Sequence, residues 1–218
     1  MAPFVTFLTD FGLQDDFVGT CHGVIKRIAP EAEILDITHG VRPGAVLQGA
    51  LVLANALPYM PSGVHLAVVD PGVGGTRRPL ALQDGEGRLH VGPDNGLLLP
   101  AAEQFGGVAA VHELANPDYS LQPVSRTFHG RDLFAPAAAH LAQVVASQVE
   151  GHVPETVDAE NRGADPRMSD LRFREVEPHE LARVERRTEL LQGDPLREVR
   201  GGRREKVAAM ECAGHRLE

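Results

Sequence analysis

Through the first two thirds of the chain, short apolar runs alternate with longer stretches of helical periodicity. "FVTFLT" (4–9), "EILDI" (33–37), "VHLAVV" (64–69), "LALQD" (80–84) and "RLHVG" (88–92) are β-rich and read as strands. Helical patterns cover about 15–29 and 44–57, and a last helix begins near Asp132 and runs through "LFAPAAAHLAQVVA". Strands separated by helices need crossover connections, so the pattern predicts an α/β domain with a mostly parallel sheet covered on both faces. Ligands of such sheets sit beyond the carboxyl ends of the strands, and Asp10 and Asp70 each fall at such an end.

The pattern changes near residue 150. Asp, Glu, Lys and Arg number 22 in residues 1–149 and 29 in residues 150–218, which divides the chain into an α/β domain, 1–149, and a charged tail. "EPHELARVERRTELL" (177–191) is compatible with one amphipathic helix, with Leu181, Val184 and Leu191 roughly on one face. Elsewhere the tail's apolar residues are too sparse to offset much ordering entropy, so a weakly ordered segment is expected. No internal repeat is visible in either part.

Composition narrows the functional classes. With 218 residues and 43% hydrophobic content, the chain can bury a sizeable core. The formal net charge of -9, with no basic run interleaved with aromatics, disfavours nucleic acid as a partner. The apolar stretch at 44–60 is short and interrupted by Gln48 and Asn55, and reads as a buried helix, so no membrane partner is expected. The N-terminus has no basic region and reaches Asp10 early, unlike a signal peptide. Cys21 and Cys212 lie far apart, which fits a reducing compartment and a cytoplasmic location.

The candidate chemistry lies in three segments. "VVDPGVGGTRRPL" (68–80) carries Asp70, three glycines and the pair Arg77 and Arg78. It lacks the GxxxxGK[ST] pattern and a following helix start, so a tight turn explains it better than a phosphate cradle. "TDFGLQDDF" (9–17) places Asp10 beside a glycine at a strand end, suited to accept two hydrogen bonds from a ligand diol. Asp15 and Asp16 have the simpler explanation of a helix N-cap and first-turn acids. "RTFHGRDLFAPAA" (126–138) carries His129, a structural histidine or an acid/base or water-positioning group, while Asp132 reads as an N-cap or first-turn acid. The other histidines form no HxH or HExxH, so no zinc site is expected. An Asp10, Asp70, His129 metal cluster remains an alternative reading. "DITHGV" (36–41) is a strand turning into a loop at the same end of the sheet. Asp94 and Asn95 of "GPDNG" (92–96) belong to an ordinary turn or touch a ligand.

"FLTDFG", "DDFVG", "DITHGV", "PYMPSGVHLAVVDPGVGGTRR", "GPDNGLL" and "TFHGRDLFAPAAAHLA" occur in the order and near spacing of the S-adenosylmethionine hydroxide adenosyltransferases, relatives of fluorinase and chlorinase. The resemblance covers roughly residues 4–143. It implies cleavage of S-adenosyl-L-methionine by water at the ribose C5′, giving adenosine and methionine, with no cofactor and no metal. The family's catalytic Asp, Arg and His look like Asp70, Arg77 and His129, the seven-residue spacing selecting Arg77 over Arg78. Asp10 resembles the carboxylate that holds the ribose hydroxyls, and Asp70 also lies against the nucleoside. The halogenating relatives lack this set, so its presence implies water as the nucleophile. The resemblance further implies a homotrimer whose site lies between one subunit's N-terminal domain and its neighbour's C-terminal domain.

The chain departs from that pattern after residue 150. The family's small β-rich C-terminal domain carries an FGN-type motif and a later Ser/Glu-containing stretch that grip adenine and methionine, and neither occurs here. Three explanations follow: a frameshifted C-terminus, a divergent tail, or a paralogue with impaired catalysis that still binds adenosine or S-adenosylmethionine. The abrupt change beside intact core motifs favours the first.

Overall fold

The computed structural model describes residues 2–149 and 174–175. The expectations of a weakly ordered or divergent tail and of a helix at 177–191 fall on residues that, Arg174 and Glu175 apart, lie outside the described ones.

The strands are β1 (Phe4–Thr9), β2 (Glu33–Thr38), β3 (Val64–Val68), β4 (Pro79–Asp84), β5 (Leu89–Pro93), β6 (Val108–Glu113) and β7 (Arg174–Glu175). They form one sheet in the order β2-β1-β3-β5-β4-β6-β7. β2, β1, β3 and β5 run parallel, while β4 is antiparallel to both β5 and β6. Of the first six strands, only β4 opposes the common direction. The expected mostly parallel sheet is therefore present, with a hairpin built into one side. Two-residue β7 pairs antiparallel with β6.

The helices are α1 (Phe17–Ile28), α2 (Val46–Ala56), α3 (Leu99–Glu103) and α4 (Ala135–Val149). α1 begins two residues after the expected start, with Asp16 at its N-cap position. The Asp16 carboxylate makes no backbone cap bond and instead accepts the Thr20 hydroxyl at 2.9 Å. Lys26 and Arg27 lie in the last turn, where positive charge complements the helix dipole. Lys26 Nζ also donates to the Ala32 carbonyl at 2.9 Å, tying the helix end to the start of β2.

Strand alternation sends side chains to two apolar layers. Val5, Phe7, Val64, Leu66 and Val91 pack with Cys21 and Ile25 of α1 and with the alanine-rich face of α4. Leu8, Ala67, Leu80 and Leu82 pack with Ala50 and Leu53 of α2 and with Ala101 and Ala102 of α3. Both faces are covered, as parallel strands require. Cys21 is a free, buried thiol, with burial pushing its pKa up to about 12. Cys212 lies outside the described residues. No helix among the described residues is long and apolar enough to cross a membrane.

Candidate functional site

β1 and β3 are adjacent and parallel, so their carboxyl ends emerge side by side. Asp10 follows β1, and its N–H donates to the Val68 carbonyl at 3.4 Å. Asp70 follows β3 two residues later. The two carboxylates are near enough that Asp70 helps raise the Asp10 pKa, although burial of Asp10 is the larger cause. The Gly44 N–H, 2.7 Å from Asp10 Oδ2, acts in the opposite direction by stabilising the carboxylate. Gly44 reaches this position at a φ of 72°, a left-handed conformation that side-chain-bearing residues rarely adopt.

After Asp70 the chain makes two consecutive turns. Val73 N–H donates to the Asp70 carbonyl at 3.3 Å, and Gly75 N–H donates to the Gly72 carbonyl at 3.0 Å. Strand β4 follows, not a helix, which removes the geometry of a phosphate cradle. The turns bring Arg77 back to Asp70: Nε donates to Asp70 Oδ2 at 2.8 Å, and Nη2 donates to the same oxygen. Arg78 diverges and donates through Nε and Nη2 to Asp94 Oδ2, both at 3.1 Å. The guanidinium of Arg77 lies 5.3 Å from the Phe134 ring centroid, and only a tenth of its side chain is exposed.

His129 enters from a distant loop. Its Nδ1 lies 2.6 Å from Arg77 Nη2. Arg77 has only donors, so Nδ1 accepts and the proton of neutral His129 resides on Nε2. Burial lowers the His129 pKa first, the cationic Arg77 lowers it further, and Asp70 partly opposes them. Gly130–Phe134 form a π-helical turn leading into α4, an irregularity common at functional sites. Asp132 is a buried first-turn acid of that element, as one of the two readings had it, and its Oδ2 accepts the Ser125 N–H at 2.8 Å. The Ser125 hydroxyl in turn accepts the Phe128 N–H at 3.0 Å, fixing the loop that presents His129.

The structure thus links Asp70, Arg77 and His129 in one contact chain, with Asp10 beside it. Asp70 Oδ1 is buried and has no hydrogen-bond partner among the described residues, although Oδ2 takes both Arg77 donors. Asp10, Asp70 and His129 do not form a grouping of potential metal ligands among the described residues. Asn95 serves the scaffold: its Nδ2 donates to the Val69 carbonyl at 2.9 Å and its Oδ1 accepts the Leu97 N–H at 3.1 Å. The loop after β2 sits at the same edge, as expected, with Gly12 N–H donating to the His39 carbonyl at 2.8 Å.

Sequence reasoning missed the aromatic clasp beside the site. Phe11, Phe17 and Phe128 meet in edge-to-face and tilted contacts at centroid distances of 4.7–6.1 Å, joining the loop of Asp10 to the loop of His129. The available signal was that Phe11 and Phe128 each adjoin a candidate polar residue.

Residues 5–151 match the family described as the SAM hydroxide adenosyltransferase N-terminal domain. The chain is 59% identical over 140 residues to an (R)-S-adenosyl-L-methionine hydrolase of Salinispora arenicola, covering 64% of this chain and 53% of that protein. It is 28% identical over 163 residues to a fluorinase of Nocardia brasiliensis, covering 64% and 54%. A crystal structure of an uncharacterized conserved protein from Thermotoga maritima superposes with a TM-score of 0.61 at 46% identity, covering 64% and 54%. The chain spans about half the length of the curated relatives it matches.

Proposed function

The chain belongs to the SAM hydroxide adenosyltransferase family, and from that membership we propose that it hydrolyses S-adenosyl-L-methionine to adenosine and L-methionine. The observation that carries the reading is the divided use of Asp70: one oxygen holds Arg77, and the other is buried without a partner among the described residues. Such an oxygen is a ready acceptor for a water proton or a ribose hydroxyl.

The sulfonium leaves as a neutral thioether, so the leaving group needs no proton. Water attacks C5′, the C5′–S bond breaks as the C5′–O bond forms, and one proton is released. Arg77 stabilises negative charge developing on the attacking oxygen, while Asp70 Oδ1 accepts or directs its proton. His129, kept neutral by burial and by Arg77, presents Nε2–H as an orienting donor. Asp10 holds the ribose hydroxyls through the oxygen lone pairs that Gly44 leaves free. Placing the nucleophile in line with the C–S bond contributes several kcal/mol, about 7 or more in well-oriented cases. The reading includes a cytoplasmic homotrimer, the latter checked by light scattering.

The test is incubation of the purified chain with S-adenosyl-L-methionine in ¹⁸O-water. Equimolar adenosine and methionine are expected, with the label in the adenosine 5′-hydroxyl. Arg77→Ala and His129→Ala are each expected to slow release by about 10²–10³-fold, the usual effect of removing one transition-state donor. Ligand binding without release identifies instead a binding protein on the same scaffold, and label outside the 5′-oxygen excludes attack at C5′.

A further inference from the structure

Outside the Asp70–Arg77–His129 contact chain, three side chains from three separate stretches converge on one point. His22 projects from α1, Asp36 from β2, and His39 from the loop after β2. Their potential ligand atoms all lie within 4.8 Å of one another. Asp36 Oδ1 is the hub, 2.9 Å from His22 Nε2 and 3.1 Å from His39 Nε2.

His39 gives this cluster a direction. Its side chain is 4% exposed, yet among the described residues its Nε2 satisfies no hydrogen-bond geometry, even at that short distance from Asp36. A buried ring nitrogen without a hydrogen bond normally demands an explanation. The other nitrogen, Nδ1, is held by the Thr9 hydroxyl at 2.8 Å. A hydroxyl can accept from Nδ1–H, which leaves the Nε2 lone pair pointing at the cluster. Metal-bound histidines are usually fixed in this way through their second nitrogen. Phe7 supplies an apolar inner wall, with ring centroids 4.9 Å from His39 and 5.8 Å from His22. On the outer side, Asp36 is two-fifths exposed and His22 about a third, which leaves an entry path and room for water.

We propose that His22, Asp36 and His39 bind a first-row divalent transition cation of the Zn²⁺ type, with solvent completing the coordination. Two imidazoles and one carboxylate match this class, whereas Mg²⁺ and Ca²⁺ favour all-oxygen sets. Metal–ligand distances of about 2.0–2.2 Å at tetrahedral angles separate ligand atoms by roughly 3.3 Å. The two Asp36 edges, at 2.9 and 3.1 Å, therefore need an opening of only a few tenths of an ångström, and the third edge, between the two imidazoles, is no longer than 4.8 Å. A bound ion would join α1 to the end of β2 and, through Thr9, to the end of β1 just before Asp10.

The test uses the full chain, stripped with chelator and titrated with ZnCl₂ by calorimetry, with zinc per chain measured by atomic emission. One tight equivalent is expected, and Co²⁺ in its place should give the visible absorption of a low-coordinate site. His22→Ala and Asp36→Asn change side chains at the exposed mouth, and circular dichroism confirms their fold. Each is expected to weaken zinc binding by more than the roughly 10–100-fold cost of losing an outer-shell partner. Thr9→Val is expected to fall within that range. A Cys212→Ser/His215→Ala variant is expected to bind as the parent does. A tight equivalent retained in both His22→Ala and Asp36→Asn, or lost only in the Cys212/His215 variant, overturns the proposal. The readout is metal content, so it stands or falls apart from hydrolysis.

Discussion

Asp10 and Asp70 sit on neighbouring strand ends but have different partners. Asp70 is engaged by a guanidinium, whereas Asp10 faces only the backbone N–H groups of Gly44 and of its own residue, together with a second carboxylate. A carboxylate so exposed to desolvation and repulsion gains most when hydroxyl donors arrive. Substituting Asp10→Asn keeps the shape and one acceptor but removes the charge that strengthens such bonds. Hydrogen bonds to charged groups contribute about 1.5–3 kcal/mol, so KM for S-adenosylmethionine is expected to rise roughly 10- to 100-fold. The rate constant kcat is expected to stay near the parent value. Steady-state kinetics separates the two, and a fall confined to kcat would place Asp10 in the chemical step instead.

At the scale of elements, the glycine turns of residues 71–76 matter for what they approach. Gly74 has a φ of 72°, and a Cβ there would lie 2.2 Å from the Arg126 carbonyl oxygen. The turn that returns Arg77 is thus pressed directly against the loop that delivers His129. Gly74→Ala forces the two apart and imposes a left-handed backbone on alanine, a cost on the order of 1–3 kcal/mol. It is expected to lower kcat by at least tenfold, with a drop in Tm on thermal scanning; unchanged kcat would mean that the loops need not touch. Much of this level was legible in the sequence. β1 was located to the residue, and the seven-residue spacing between Asp70 and Arg77 is realised as a direct contact. α3 and β6 went unread: "LPAAE" is too short to show helical periodicity, and "VAAVHE" alternates too weakly after Gly106 and Gly107. The convergence of His22, Asp36 and His39 was also invisible, because its ligands come from different elements and match no short motif.

For the whole molecule, a layered sheet leaves some polar side chains no route to water. Thr6, His65, His90 and Asp84 form such a line through the sheet interior, all at or below 1% exposure. Thr6 Oγ1 lies 2.9 Å from His65 Nδ1, the His65 and His90 rings are 5.3 Å apart, and His90 Nε2 lies 2.9 Å from Asp84 Oδ2. Burial, then the neighbouring His90, pulls the His65 pKa down to about 3. Burial also lowers those of His90, His129 and His140. Unfolded histidines take up protons near pH 6.5, so below that value the unfolded chain binds more protons than the folded one. The stabilising contribution is complete above pH 6.5 and declines as pH falls toward the folded values, for His65 by an amount on the order of 5 kcal/mol at pH 3. Tm is therefore expected to fall steadily from pH 6.5 to 4. His65→Gln can keep the bond to Thr6 but has no proton to gain, so its Tm should fall less steeply over the same range while His90, His129 and His140 retain their share. Circular dichroism melts of both chains at half-unit pH steps measure the two slopes, and parallel slopes would assign the acid sensitivity to groups other than His65.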